Sequence, residues 1–305
     1  MHKAGFVNII GCPNVGKSTL MNALVGEKLS IIISKAQTTR HRIMGIVNGE
    51  DFQIVYSDTP GVLKPHYKLQ ESMMNFVNVA LSDADVILLV TDIFEDIPME
   101  EDELAKIIHT KVPILLLINK IDLANQEKLE LKVAYWKDKV KTAEVIPVSA
   151  LEKFNISYVF DRLLALLPES PAYYPKDELT DRPERFFISE IIREKTLMNY
   201  KKEIPYSVEV VVESFKEEDL PALNGPKPRQ AGKIIKIKAD IIVERESQKG
   251  IIIGHEGKAL KKVGVESRKD IEAFFDTHVY LELLVKVIKD WRSNEDQLKK
   301  YGYLS

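Results

Sequence analysis

Residues 11–18, GCPNVGKS, combine two glycines, a lysine and a serine at the spacing of a phosphate-binding loop. The loop follows an apolar run, residues 6–10, and precedes a helix-forming stretch, which is the setting that such a loop requires. Glycines allow backbone N–H groups to point at phosphate oxygens, and Lys17 adds a positive charge. The hydroxyl of Ser18 ligates Mg²⁺, and the positive end of the following helix favours anions. The sequence therefore predicts a site for a nucleoside triphosphate with Mg²⁺.

A second polar segment, Asp58–Gly61, follows another apolar run, residues 52–57. Taken alone, the tetrapeptide DTPG is typical of an ordinary β-turn. At the end of a strand beside the phosphate-binding loop, however, Asp58 is expected to hold the metal through a water molecule. Gly61 is then expected to give its N–H to the γ-phosphate.

A third segment, Asn119–Asp122, predicts which base is bound. It follows the apolar run 112–118, and its aspartate can accept both the ring N–H and the exocyclic amine of guanine, a pattern that adenine does not offer. Because an unpaired buried carboxylate is costly, strong discrimination is expected. Residues 148–150, VSA, end the last predicted strand, where a backbone N–H reaches the guanine O6. Four elements in this order predict GTP or GDP, against the alternative of an ATP-dependent P-loop kinase.

Residues 37–41, QTTRH, lie between the phosphate-binding loop and Asp58. A threonine in this segment is expected to complete the Mg²⁺ shell and to sense the γ-phosphate, so that the loop is ordered only with GTP. The sequence leaves Thr38 and Thr39 open, and we favour Thr39. The alternative is a plain solvent-exposed loop.

The residue after Gly61 is Val62, where many regulatory GTPases carry a glutamine that positions water. Valine does not orient water, so slow hydrolysis is expected unless a partner or an ion helps. Our hypothesis is that Asn14, beside the phosphates, helps to ligate a monovalent cation such as K⁺. Cys12 is interpreted as a small loop residue, because no histidine is placed to activate it as a nucleophile.

These interpretations define the predicted nucleotide site. Its catalytic residues are Lys17, Thr39, Gly61 and Asn14, and its metal ligands are Ser18, Thr39 and Asp58. The predicted nucleotide-binding residues are Gly11, Cys12, Pro13, Asn14, Val15, Gly16, Lys17, Ser18, Thr19, Asp58, Thr59, Pro60, Gly61, Val62, Asn119, Lys120, Asp122, Ser149 and Ala150.

Short apolar runs alternate with amphipathic stretches through the first 167 residues. Strands are predicted at 6–10, 42–48, 52–57, 85–90, 112–118 and 144–149, and helices between them. The run 42–48 is expected to pair antiparallel with 52–57 across the turn at 49–51. Such alternation predicts an α/β domain with a mainly parallel, doubly wound sheet.

Residues 168–183 contain four prolines and no apolar periodicity, which is typical of a domain boundary. We assign residues 1–170 to the nucleotide-binding domain, 171–182 to a linker, and 183–305 to a second domain with a C-terminal tail. After the linker, the predicted order is helix, strand, strand, helix, strand. This order predicts a smaller α+β domain.

The second domain carries a local basic block on an acidic chain. Residues 1–170 hold 18 basic and 22 acidic residues, whereas residues 227–269 hold 12 basic and 5 acidic residues, a net charge of +7. Within this block, residues 250–258, GIIIGHEGK, contain a G-x-x-G turn between helix-forming flanks. Such a turn lets a nucleic-acid backbone approach two helix ends beside an apolar groove for about four bases. The alternatives are a solvated charged face and a module that docks a protein.

Single-stranded RNA is the predicted ligand of this block. The predicted RNA-binding residues are Arg245, Lys249, Gly250, Ile251, Ile253, Gly254, His255, Glu256, Gly257, Lys258, Lys261 and Lys262. Residues 251–253 are expected to form the groove floor, with at least one of them in the core instead. Glu256 departs from what phosphate binding favours, so the flanking lysines are expected to supply the affinity.

Length and composition set wider limits. A chain of 305 residues, 45% hydrophobic and 29% charged, is long enough for two domains with separate cores. No stretch approaches the roughly 18–20 apolar residues of a membrane span. The single cysteine fits a reducing compartment, so a cytoplasmic location is expected.

Several motifs in order across both domains resemble the Era family of ribosome-associated GTPases. The resemblance rests on GCPNVGKST, KAQTTRHRIMGI, the DTPG, NKID and VSA elements, LTDRPERF, QKGIIIGHEGKALKKVG and KDIEAFF…VYLELLVKVIKDWR. It covers almost the whole chain, and the single P-loop excludes relatives with two tandem GTPase domains.

The resemblance implies a fold and a role. It implies a type II KH domain after the GTPase domain, which binds the 3′ end of 16S rRNA, and a role in maturation of the 30S subunit. It also implies a monomer, slow GTP hydrolysis and peripheral association with the inner membrane. GTP would then act as a timer, because the bound state prepares the RNA groove and hydrolysis releases the particle.

Overall fold

The computed structural model describes residues 1–33, 35, 37–94, 101–141, 143–220 and 232–304. The chain divides into two compact units, Met1–Asp181 and Arg182–Ser305. Within the described part of the chain, none of the helices combines the length and the apolar composition that a membrane span requires.

The first unit is a six-stranded sheet with helices. Its strands are β1 (Lys3–Ile10), β2 (Ile43–Asn48), β3 (Phe52–Asp58), β4 (Val86–Asp92), β5 (Ile114–Asn119) and β6 (Glu144–Pro147), and its helices are α1 (Lys17–Val25), α2 (Lys68–Ser82), α3 (Glu101–Ile108), α4 (Gln126–Lys139) and α5 (Ile156–Leu166). The strand order is β2-β3-β1-β4-β5-β6. Only the β2–β3 pair among these neighbours is antiparallel. The predicted mainly parallel, doubly wound sheet is confirmed.

The central strands read as continuous apolar runs because both faces of the sheet are covered. Every residue of β4 and β5 is buried. Parallel pairing also brings the carboxyl ends of the strands to one edge, since Ile9 lies opposite Asp58 and Asp92 lies opposite Asn119. This edge is where an open α/β sheet binds its ligands.

Residues 171–181, predicted to be linker, pack against the first unit. The backbone N–H of Ile46 donates to the carbonyl of Leu179 at 2.8 Å, and the N–H of Met44 donates to the Asp181 carboxylate at 3.2 Å. This segment therefore runs beside β2, the strand at the edge of the sheet.

The second unit is a three-stranded sheet with helices against it. Its strands are β7 (Glu209–Leu220), β8 (Gly232–Val243) and β9 (His278–Val287), and its helices are α6 (Glu184–Asn199), α7 (Ile204–Ser207), α8 (Glu246–Ile253), α9 (Lys258–Phe275) and α10 (Glu295–Lys300). The order is β7-β8-β9, antiparallel between β7 and β8 and parallel between β8 and β9. The apolar face of β8, including Ile235, Ile237 and Ile241, packs with Ile188, Ile192, Val263 and Ile271 from the helices. The predicted α+β domain is confirmed.

Two parts of the second unit add to the sequence-based expectation. Residues 246–253 form the separate helix α8, which ends at Gly254, so Gly250 lies in a helical turn and not in the G-x-x-G loop. The polar tail is folded, because Trp291 is fully buried and its indole N–H donates to the Ser207 carbonyl at 2.9 Å.

Candidate functional site

The phosphate-binding loop is close-packed at its two glycines. Gly16 has φ of 96°, and a side chain there would meet the Asn119 amide nitrogen at 2.3 Å. A side chain at Gly11 would come within 2.1 Å of the Val90 carbonyl oxygen. Only glycine allows the loop to turn tightly between β1 and α1 and to approach the neighbouring strands. Helix α1 then begins at Lys17, with its N-terminal N–H groups at the loop.

The Lys17 side chain is buried and folds back over the loop. Its Nζ donates to the carbonyl oxygens of Gly11 at 3.1 Å and Cys12 at 2.8 Å. The side chain lines the cavity described below, so its positive charge lies beside the loop amides. This arrangement concentrates positive potential where phosphate groups would lie.

Ser18, Thr39 and Asp58 form a cluster of oxygen atoms. The Ser18 hydroxyl donates to Asp58 Oδ2 at 2.7 Å and lies 2.9 Å from Thr39 Oγ1, which is itself 3.3 Å from Asp58 Oδ2. Burial raises the pKa of the fully buried Asp58 carboxyl, whereas Lys17 lowers it. Among the described residues, Asp58 Oδ1 has no hydrogen-bond partner although it is buried. Hard oxygen donors around a buried carboxylate fit Mg²⁺.

The structure separates the two candidate threonines. The hydroxyl of Thr38 donates to the Lys35 carbonyl at 2.6 Å, whereas the hydroxyl of Thr39 lies in the cluster with Ser18 and Asp58. Geometry therefore favours Thr39 as the metal ligand.

The segment after Asp58 packs tightly under the loop. Thr59 donates its hydroxyl to the Ile9 carbonyl at 2.7 Å, and a side chain at Gly61 would meet the Pro13 backbone at 2.7 Å. Val62 donates its N–H to the Gly11 carbonyl at 3.1 Å, and its side chain packs in the hydrophobic core. The position next to Gly61 therefore presents no polar side chain toward the cavity.

Asn119, Lys120 and Asp122 form the base end of the site. The Asn119 amide donates to the Val15 carbonyl at 2.9 Å and accepts from the Ala150 N–H at 3.0 Å, which ties the phosphate-binding loop to the end of β6. Lys120 Nζ contacts the Asn14 carbonyl at 2.6 Å and Asp92 at 2.5 Å. These contacts hold the base-reading segment beside the loop.

One cavity of about 570 Å³ joins these segments. Of the predicted site residues, it is lined by Pro13, Asn14, Gly16, Lys17, Ser18, Thr19, Thr39, Gly61, Asn119, Lys120, Asp122 and Ala150. The other predicted residues do not line it: Gly11, Cys12, Val15, Asp58, Thr59, Pro60, Val62 and Ser149. Several of these residues lie behind the lining residues and bond to them. Asp58, for example, accepts a hydrogen bond from the Ser18 hydroxyl.

Sequence reasoning missed the apolar part of this cavity. Ile31, Ile32, Ile33, Leu123 and Leu151 also line it. Leu123 and Leu151 are 61% and 73% exposed, although each directly follows a predicted base-contacting segment. Two exposed leucines at a cavity are a suitable apolar wall for a planar base. Their position after Asp122 and Ala150 was the available signal.

In the second unit, residues 254–257 form the predicted turn between α8 and α9. Gly254, Glu256 and Gly257 all have positive φ, at 68°, 52° and 72°. Glu256 adopts this backbone conformation without being glycine, and its carboxylate pairs with Lys258 at 2.7 Å. This exposed pair places a carboxylate beside the Lys258 ammonium group at the start of α9.

A groove of about 470 Å³ runs between α9 and β9. It is lined by Gly257, Leu260, Lys261, Gly264, Val265, Arg268, Val279, Tyr280, Leu281 and Leu283. Lys261 and Arg268 are seven residues apart on α9 and so lie on one face. Gly264 lies between them, with room for a side chain 3.5 Å from Leu283. The groove therefore has an apolar floor and a basic wall, which suit the bases and the backbone of a single strand.

Most predicted RNA-binding residues lie outside this groove. Gly257 and Lys261 line it, whereas Arg245, Lys249, Gly250, Ile251, Ile253, Gly254, His255, Glu256, Lys258 and Lys262 do not. Ile252 is fully buried, as expected for at least one residue of 251–253, and Ile253 packs against the core, whereas Ile251 is 49% exposed. The floor of the α9–β9 groove comes from residues beyond the G-x-x-G motif.

Three features together define a P-loop GTPase. They are a phosphate-binding loop, a buried carboxylate that accepts from the Ser18 hydroxyl, and an aspartate that follows β5 at the carboxyl edge of a parallel sheet. Family models agree: one described as a 50S ribosome-binding GTPase matches residues 6–120, and a KH domain model matches residues 203–292. The chain is 42% identical over 305 residues to GTPase Era of Staphylococcus haemolyticus, covering 99% of this chain and 98% of that protein. This chain belongs to the Era GTPase family.

Solved structures agree over the full length. A crystal structure of Era with MgGDPNP and nucleotides 1506–1542 of 16S ribosomal RNA has a TM-score of 0.91, 36% identity and full coverage of both chains. A crystal structure of a single-residue variant of Aquifex aeolicus Era bound to GDP·AlF4⁻ has a TM-score of 0.90 and 37% identity, covering 99% of this chain and 100% of that one. The resemblance inferred from the motifs is confirmed.

Proposed function

We propose that this protein is a Mg²⁺-dependent GTPase switch that holds the 3′ end of 16S rRNA in its KH domain and assists maturation of the 30S subunit. One observation carries the proposal: a single cavity is lined both by Ser18 and Thr39, which bond to the buried Asp58 behind them, and by Asp122. A nucleoside triphosphate with its metal requires these two ends at once.

At the phosphate end, Ser18, Thr39 and Asp58 would hold Mg²⁺, with Asp58 acting through a water molecule. The metal neutralises the charge that develops on the phosphate oxygens during transfer. Lys17 and the loop N–H groups stabilise the same charge, and the Gly61 N–H binds the γ-phosphate. Because these groups are held in place before reaction, they need little reorganisation in the transition state.

At the base end, Asp122 accepts the two N–H groups of guanine, and the Ala150 region contacts O6. Asn119 braces both segments through Val15 and Ala150. Leu123 and Leu151 cover the base with apolar surface. Adenine would leave the Asp122 carboxylate poorly paired, which is the source of selectivity.

Hydrolysis is proposed to be slow because Val62 packs in the core and the chain supplies no glutamine next to Gly61. Asn14 is exposed on the phosphate-binding loop with φ of 66°, where its side chain can join a K⁺ site at the phosphates. Rates measured in K⁺ and in Na⁺ test this role. If K⁺ stimulates the Asn14→Ala variant as strongly as the wild type, Asn14 does not take part in a K⁺ site.

In the KH domain, RNA is proposed to lie along the α9–β9 groove. Lys261 and Arg268 form the basic wall of this groove. The turn at 254–257 lets the RNA backbone approach the beginning of α9. Support comes from the relative solved with nucleotides 1506–1542 of 16S rRNA, which matches this chain over its full length. The lysines around the turn add long-range attraction.

Other parts of the proposal rest on the family resemblance alone. These are action on the 30S subunit, a monomeric state, a cytoplasmic location and peripheral association with the inner membrane. Sedimentation of the protein with purified 30S subunits and with anionic vesicles tests the first and the last of these separately.

Nucleotide competition tests the proposed function. A fluorescent guanine nucleotide bound with Mg²⁺ is expected to be displaced by GTP and GDP, but not by ATP at the same concentration. Displacement by ATP as readily as by GTP would favour a P-loop kinase instead.

A further inference from the structure

The segment that leads into the second unit makes a series of specific contacts along the edge of the first. We define residues 173–181 as the strap. Gln53, fully buried in β3, accepts from the N–H groups of Tyr173 at 2.7 Å and Tyr174 at 3.0 Å and donates to the Tyr174 carbonyl at 2.8 Å. One side chain thus binds three backbone groups of the strap.

The contacts continue in order from Glu50, in the turn after β2, back along β2 itself. Lys176 Nζ donates to the Glu50 carbonyl at 2.9 Å, Ile46 donates its N–H to the Leu179 carbonyl, and Met44 donates its N–H to Asp181. As the strap numbers rise, the β2 numbers fall, so the strap runs antiparallel to β2. Its last contact is therefore at the beginning of β2.

The beginning of β2 is also the end of the metal-site loop. Met44 follows Thr39 by five residues, and five residues span at most about 18 Å even when fully extended. On the other side, Asp181 is the last residue of the first unit. The strap therefore connects the main chain of the nucleotide-sensing loop with the entry into the KH domain.

A buried arginine adds the second nucleotide-sensing segment to this junction. Arg42 donates to Asp83 at 2.6 and 3.0 Å and to Ser57 at 2.6 Å. Asp83 caps the end of α2, the helix that follows the DTPG segment, and Ser57 precedes Asp58. Both segments are therefore hydrogen-bonded to Arg42, the residue that directly precedes β2, and breaking these bonds would cost free energy.

We propose that the strap is the transmission element of the switch: the nucleotide state sets the position of β2 at Met44 and Ile46, and the strap carries this change to the KH domain. The inference rests on the proposed function, since it needs RNA affinity to depend on the nucleotide. A two-state element biased by both sites is the physical requirement for such coupling. In this proposal the strap contacts are the two-state element.

The first test weakens the strap on its exposed side. The variant Lys176→Ala/Asp181→Ala removes two side-chain anchors, and Lys137→Ala/Asp138→Ala on α4 is a control with the same change in charge. RNA affinity of the full chain is measured with a GTP analogue and with GDP. The ratio of the two affinities, typically about 5- to 150-fold in coupled systems, is expected to fall to within about twofold of one in the strap variant only.

The outcomes separate the strap from the proposed function. A strap variant that keeps the wild-type ratio would overturn the strap while leaving the switch intact. A wild-type ratio of one would overturn both, because there would be nothing to transmit. The GDP affinity of the strap variant is compared with that of the control variant, and equal values show that the nucleotide site is intact.

A second measurement needs no mutation. Residue-resolved hydrogen exchange is recorded for the Ile46 amide, which bonds to Leu179, and for the Tyr173 and Tyr174 amides, which bond to Gln53. We expect their protection to differ between the GDP and GTP-analogue states, while Leu88 in the central strand stays unchanged. Equal protection of all three amides in both states would contradict the proposal.

Discussion

The Ser149 hydroxyl donates a 2.6 Å hydrogen bond to Asp122 Oδ1. The two residues follow different strands, β5 and β6, so tertiary packing fixes the orientation of the base-reading carboxylate. Asp122 still lines the cavity, whereas Ser149 does not. Ser149 therefore orients the carboxylate that we propose selects guanine.

Asp122→Asn is expected to change the preferred base from guanine to xanthine. An amide offers a donor where guanine needs an acceptor, and two charge-assisted hydrogen bonds at about 1.5–3 kcal/mol each predict a loss of GTP affinity on the order of 10²–10⁴-fold. Xanthine nucleotides, which carry an acceptor at that position, are expected to gain affinity. Titration of both nucleotides measures this, with the surface change Asp138→Asn as control; unchanged GTP affinity would remove Asp122 from the base site.

Thr39→Ala and Thr38→Ala are expected to differ. Thr39 lies with Ser18 and Asp58, so its loss should weaken GTP-analogue binding in Mg²⁺ by roughly tenfold, the value of one good polar contact. Thr38 bonds to Lys35 and its loss should have little effect. Calorimetric titration at several Mg²⁺ concentrations checks this, and the opposite ranking would identify Thr38 as the ligand.

Leu151→Ser is expected to weaken GTP and GDP binding equally, because the base is common to both. Burial of a leucine side chain is worth about 1.5–3 kcal/mol when complete, so partial burial predicts roughly a 3- to 10-fold loss. Leu131→Ser on α4, an exposed leucine outside the cavity, is the matched control. An effect on GTP alone would mean that Leu151 acts at the phosphates and not at the base.

Gly264→Ala is expected to separate stability from RNA binding. Alanine in the middle of α9 should raise the free energy of unfolding by about 0.5–1 kcal/mol relative to glycine. The added methyl group would occupy the groove in ordinary contact with Leu283, so RNA affinity should fall. Thermal unfolding and RNA titration are compared on the same sample. Unchanged RNA affinity in a stabilised protein would place the RNA elsewhere.

The nucleotide site was largely predictable because its residues follow strands whose apolar runs are unambiguous. Asp58 and Asn119 each end such a run, and parallel pairing brings them to one edge. The packing of Val62 into the core and the apolar wall at Leu123 and Leu151 depend on neighbours distant in sequence, so local pattern did not reveal them.

The groove between α9 and β9 was not predicted, for a related reason. The G-x-x-G motif marks a turn, and its glycines directed the prediction to residues 250–258. The groove itself needs α9 to face β9, a tertiary contact that the motif does not encode. The strap was likewise hidden, because its prolines and polar residues are typical of a linker and its partners lie about 120 residues earlier, at Gln53.

RNA binding in the two nucleotide states tests the central claim most directly. The intact protein, loaded with a GTP analogue or GDP, is titrated with the 3′ end of 16S rRNA and with a scrambled strand. Lys261→Ala/Arg268→Ala is compared with Lys249→Ala/Lys262→Ala. We predict selective, GTP-favoured binding that the first pair of substitutions weakens far more than the second, with a salt slope shallower by about 1–1.5. Equal binding of both strands in both states would contradict the account.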